Sequence, residues 1–124
     1  APQLIENMLK ASRFIEQAMV IGENRKFPAA LIVPSFAFLK DYCALKNIPF
    51  TGQEQVIKDP VIVARITAEV DKVNVTLGHW EQVKKIALMP KEWGIDTGEM
   101  TPKLSLRRKH ILAKYNDQVE GIYS

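Results

Sequence analysis

Phe14-Ile15-Glu16-Gln17-Ala18-Met19-Val20-Ile21, then Gly22-Glu23-Asn24-Arg25-Lys26, then Pro28-Ala29-Ala30-Leu31-Ile32-Val33 decide the fold of this chain. The outer two runs are short and rich in β-branched and aliphatic residues, as strands are, and the middle run is made of turn residues. Together they predict a β-hairpin with a loop of about five residues. Pro28 belongs at a strand start or edge because it has no N–H to donate, and Pro34 stops the second strand.

Helical signals surround this hairpin. Gln3–Leu9 reads as a short helix behind Pro2. Ser35 is a natural N-cap for a helix over 36–46, with Phe36, Leu39 and Cys43 on one stripe and Phe38, Tyr42 and Leu45 alongside. Thr51-Gly52-Gln53-Glu54 has the form of a capping box. Asp59-Pro60 opens the longest helix, about 60–77, whose stripe Ile62, Ile66, Val70, Val73 and Leu77 is the strongest periodic signal here. Arg65–Glu69 and Glu69–Lys72 are spaced as ion pairs on its outer side, and Gly78 is the expected stop. A short turn at 81–85, a strand over Lys85–Met89, a loop over Trp93–Pro102 and helices over 107–115 and 117–123 complete the chain. The fold class is therefore α/β of the α+β kind: a small mixed sheet with a hairpin, packed by helices, in a single domain spanning 1–124.

The chain has 124 residues, 47% hydrophobic and 25% charged, which excludes disordered and collagen-like classes. A chain of this size buries roughly 65–70% of its unfolded surface. Its longest apolar run, Ala29–Pro34, is far short of the ~20 residues a membrane-spanning helix needs. The start lacks both a methionine and the basic and apolar regions of a secretory signal, so a fragment of a longer chain is expected. Cys43 is the lone cysteine, expected as a buried structural thiol in a reducing cytoplasm.

Charge is uneven. Residues 84–114 carry eight cations (Lys84, Lys85, Lys91, Lys103, Arg107, Arg108, Lys109, Lys114) against Glu92, Asp96 and Glu99, within a chain of net charge +3. Such a segment fits either a phosphate-bearing partner or a solvated basic face. Nucleic acid is not expected, since the cations are not interleaved with aromatics. Nucleotide-loop, nucleophile-elbow and zinc-protease motifs are absent. His79 and His110 stand alone, His110 on an expected wet helix face, and Asp96 and Glu99 are acids by type only. On residues alone, a free-standing binding module that holds a phosphate-bearing partner with this basic segment is one complete reading.

A second reading comes from resemblance. Pro2-Gln3-Leu4-Ile5-Glu6-Asn7, Phe14-Ile15-Glu16-Gln17 with Val20-Ile21-Gly22, and Arg25-Lys26-Phe27-Pro28-Ala29-Ala30-Leu31-Ile32-Val33-Pro34 resemble the C-terminal domain of AMP-forming acyl-CoA synthetases, in the long-chain fatty acid–CoA ligase branch. Gly98-Glu99-Met100-Thr101-Pro102-Lys103-Leu104, Arg107-Arg108, Lys114-Tyr115 and Glu120-Gly121-Ile122-Tyr123 extend the resemblance to the end. It implies a mobile lid that closes over an N-terminal adenylation domain holding ATP, magnesium and the fatty acid. An acyl-adenylate forms first, and CoA then attacks it to give acyl-CoA and AMP. It also implies that this chain starts just past the hinge, would be inactive alone with none of these cofactors bound to it, and belongs to a parent in peripheral contact with membrane.

The family's lid supplies a lysine in a K-x-R-R pattern, which falls here on Ser105-Leu106-Arg107-Arg108, so Ser105 occupies the lysine position. Lys103 is one candidate substitute, the alternative being an ordinary surface lysine in a ligase that does without it or performs a different step. If 101–106 is extended, the two residues share a side about 6.6 Å apart, with Leu104 and Leu106 anchoring the loop to the core. The resemblance turns Arg25 and Lys26 toward CoA phosphates, although the residues alone also fit a solvated turn. Arg107 and Arg108 open a helix whose dipole does not favour cations, and are read as facing phosphate or an anion across the domain interface. Glu99 is expected to pair with a cation across that interface. Trp80 and Trp93 are expected in packing.

Overall fold

The hairpin forms, and a third strand completes it into a sheet. The computed structural model describes residues 2–124. Helix α1 (Pro2–Lys10) leads into β1 (Ile15–Ile21) and β2 (Ala29–Pro34), followed by α2 (Phe36–Lys46), α3 (Gln53–Val56) and α4 (Pro60–Asn74). A 3-10 turn (His79–Glu81), β3 (Lys85–Leu88), α5 (Arg108–Lys114) and α6 (Asn116–Tyr123) follow. The strand order is β1-β2-β3, with β1 antiparallel and β3 parallel to the central β2. This is the mixed sheet expected from sequence.

Every residue of β2 is buried, because helices cover both faces of the sheet. Ala30 and Ile32 face a core built with Ile5 and Leu9 of α1, Leu39 and Cys43 of α2, and Ile62, Ile66 and Val70 of α4. Ala29, Leu31 and Val33 face a second core with Met19, Met89, Trp93, Ile111 of α5, and Val119 and Ile122 of α6. A strand buried on both faces reads as a continuous apolar run, as Ala-Ala-Leu-Ile-Val does. A bulge between Ile15 and Gln17 lets Ile15 join Ala18 in the first core. The Gln17 amide is then free to brace the loop after β3, donating to the Trp93 carbonyl at 2.9 Å and accepting from the Trp93 N–H at 2.6 Å.

Three local expectations change. The hairpin loop runs over 22–28, because Phe27 leaves the ladder to pack on Tyr123 and its carbonyl accepts from the Tyr123 hydroxyl at 2.8 Å. At 51–54 no side chain caps from Thr51; the Gln55 side chain accepts from the Thr51 N–H at 2.8 Å instead. Helix α4 begins as expected, with Asp59 accepting from Val61 N–H at 2.9 Å, but stops at Asn74. The Asn74 amide exchanges two 2.8 Å hydrogen bonds with the backbone of Val83, tying the helix end to the lead-in of β3. Glu69 is less peripheral than its spacing implies. It binds Arg65, Lys72 and the Ser12 hydroxyl, with Arg65 lying over the Phe14 ring at 4.4 Å.

Candidate functional site: a C-terminal hairpin tip

The loop expected between β3 and α5 folds back on itself. Arg107 N–H donates to Glu99 O at 2.8 Å, Met100 and Leu106 form an antiparallel bridge, and Thr101 N–H donates to Ser105 O at 2.9 Å. Leu104 N–H closes a turn onto Thr101 O at 2.8 Å, and Ser105 N–H reaches the Thr101 hydroxyl at 3.2 Å. Thr101-Pro102 is the local cause, since proline presets the second position of such a turn. The segment 101–106 is thus a reversal and not an extended strand. Lys103 and Ser105 do not lie along one side of a strand; Lys103 is carried at the tip. Both are exposed. Leu106 packs into the second core as expected, but Leu104 does not: it is 67% exposed, with a left-handed φ of 63°.

Glu99 fixes the base of this hairpin. It is 1% exposed and pairs within the domain, where the sequence suggests a cation across an interface. Its carboxylate accepts from Lys114 Nζ at 2.7 Å, Tyr115 Oη at 2.8 Å, Gly94 N at 3.1 Å and the Thr97 hydroxyl. Burial alone would push this carboxyl up, but the bonds from Lys114, Thr97, Tyr115 and Gly94 outweigh it and hold it at about 2. Burial, then the hydrogen bond to the Glu99 carboxylate and that group's charge, push Tyr115 up to about 12. Beside it Gly98 has φ 93°, and a Cβ there would stand 2.6 Å from His110 Nε2. His110 is therefore half-buried against the hairpin and not on a wet face.

The two arginines divide. Arg108 turns inward and grips Glu6 with two bonds of 2.8 and 2.6 Å, while Glu6 also accepts from Val20 N–H at 2.7 Å. That carboxylate, 3% exposed, joins α1, β1 and α5, so Arg108 is a structural cation. Arg107 remains exposed, donating to Gly98 O at 3.1 Å. Arg25 pairs with Glu120 and lies 4.8 Å from the Tyr123 ring centroid, which leaves Lys26 as the cation of that turn with no partner among the described residues. Sequence reasoning missed these internal commitments because their partners lie far along the chain.

Between the β1–β2 turn and α5 lies a groove of about 680 Å³, lined in part by Ile21, Arg25, Trp80, Lys109 and Leu112. Trp93 is buried as expected, but Trp80 is 78% exposed. Cys43 is buried and its thiol is pushed up by that burial, consistent with a structural role. Among the described residues no cluster of metal-ligating side chains occurs and no helix is long and apolar enough to cross a membrane. The exposed cations Lys103 and Arg107 of the hairpin, with Lys109 at the start of α5, can offset charge on a carboxylate or phosphate.

A family profile described as AMP-binding enzyme C-terminal domain matches residues 1–124. The chain is 31% identical over 126 residues to the long-chain-fatty-acid–CoA ligase FadD15 of Mycobacterium tuberculosis, covering 100% of this chain and 21% of that protein. It is 31% identical over 127 residues to long-chain-fatty-acid–CoA ligase 5 of Rattus norvegicus, covering 99% of this chain and 18% of that one. The chain thus spans about a fifth of the length of these curated relatives. In fold it is similar to the adenylation domain of a carboxylate reductase from Mycobacterium chelonae, with a TM-score of 0.77 at 17% identity over 98% of this chain and 17% of that one.

Proposed function

The chain belongs to the family of AMP-binding enzyme C-terminal domains, and on that premise we propose that it is the mobile lid of a long-chain fatty acid–CoA ligase. In the reaction this implies, a fatty-acid carboxylate attacks the α-phosphate of ATP, releasing pyrophosphate. CoA sulfur then attacks the acyl carbon, releasing AMP. The reactants and magnesium would be held by an adenylation domain outside this chain.

One observation carries the reading: a rigid, hydrogen-bonded tip presents the Lys103 ammonium to solvent, and no group among the described residues pairs with it. When the tip closes, that ammonium bridges the carboxylate and the α-phosphate and offsets charge as the anhydride forms. A point charge on a flexible stem suits this task, and Ser105, at the family's lysine position, carries no charge to do so. Arg107 adds a second cation nearby. Lys26 is the residue turned toward CoA phosphates, with Arg25 holding its loop.

Lys103→Ala in the full-length ligase tests this. Pyrophosphate release without CoA is expected to fall by roughly a hundredfold, while thioester formation from supplied acyl-adenylate holds. An unchanged rate of pyrophosphate release would remove Lys103 from the mechanism.

A further inference from the structure

We propose that Leu104 is the apolar anchor that seats the hairpin tip in the adenylation domain. The proposal rests on the lid reading above and concerns the surface that the tip meets. Leu104 is 67% exposed at the outermost turn of the hairpin. Its φ of 63° lies in the left-handed region, which an L-residue enters at an energetic penalty and which glycine or asparagine would occupy more readily. Two unfavourable features, exposure and backbone strain, thus coincide in one side chain.

Nothing inside the domain accounts for that side chain. The turn is closed by the backbone of Leu104 and by Thr101, and would close equally well around a polar residue. The apolar anchoring of the hairpin to its own core is done by Leu106 and Met100, both packed in the second cluster. The base is locked by the buried Glu99 carboxylate, so the tip holds one direction.

The surroundings point to the occupant. Lys103 is exposed beside Leu104 at the tip and has no polar partner among the described residues, while Arg107 is exposed at the base of the hairpin and Lys109 on the first turn of α5. An apolar projection beside an unmatched cation fits a surface pocket with an anionic rim. A domain holding a nucleotide beside a fatty-acyl chain offers both. An anionic bilayer shares that chemistry but has no use for a single leucine held in a fixed direction.

The test is Leu104→Asn in the full-length ligase, because asparagine keeps the left-handed turn and removes the apolar group. The thermal midpoint is expected to stay level or rise, while pyrophosphate release without CoA falls about tenfold, the scale of one lost leucine burial. Leu104→Met, which conserves volume, is expected to restore most of the rate. A wild-type rate for Leu104→Asn would overturn the proposal, as would weaker sedimentation with anionic vesicles at an unchanged rate. A ligase lacking residues 2–124 separates the two ideas. If its adenylation rate is undiminished, the lid reading falls; if it is inactive while Leu104→Asn is normal, only the anchor falls.

Discussion

At the scale of single residues, position 99 shows how a motif can be visible while its role is not. Gly98-Glu99-Met100-Thr101-Pro102 marks a turn and an acid, but the acid's partners, Lys114 and Tyr115, sit at the end of a helix whose packing no local pattern reveals. The same holds for Arg108, which looks like a surface cation among Arg107 and Lys109 until Glu6 is seen beneath it. A carboxyl held at about 2 stabilises the fold above the ordinary glutamate range near 4.5 and loses that contribution as pH falls toward about 2. Glu69, also held at about 2, acts in the same direction. Glu99→Gln is therefore expected to lower stability at neutral pH by about 2 kcal/mol and to flatten, without abolishing, the acid limb below pH about 4.5. Urea unfolding of the 124-residue chain at several pH values checks this, and an acid limb of unchanged slope would count against it.

Elements were legible where their signals are local. Asp59-Pro60 fixes the start of α4 through one side-chain bond two residues away, and Ser35 marks the start of α2 by position. The end of α4 was not legible, because Asn74 stops it by bonding Val83 across the following turn. The 99–107 hairpin was missed for a similar reason: Leu104 is a poor predictor of a left-handed turn, so Thr101-Pro102 was the only cue. Asn74→Ala leaves the buried Val83 backbone without two partners. It is expected to destabilise the chain by about 2 kcal/mol and to lower the melting temperature by roughly 8 °C, read by thermal unfolding. A shift under about 2 °C would mean that this tie contributes little.

At the scale of the molecule, the two-faced burial of β2 follows from its unbroken apolar run, and the mixed sheet follows from it. The basic stretch at 84–114 resolves into two populations. Arg108 and Lys114 neutralise buried carboxylates, whereas Lys103 and Arg107 on the hairpin, Lys109 at the start of α5, and Lys84, Lys85 and Lys91 near β3 stay exposed. Net charge alone does not separate these uses. The outward set gives the domain an exposed basic face, as the proposed lid role requires. The most direct measurement is single-turnover pyrophosphate release, without CoA, by the full-length ligase and by the same enzyme lacking residues 2–124. Removal of the domain is expected to lower the rate roughly a hundredfold or more, with ATP binding retained by the remainder. An undiminished rate of acyl-adenylate formation by the truncated enzyme would contradict the lid role.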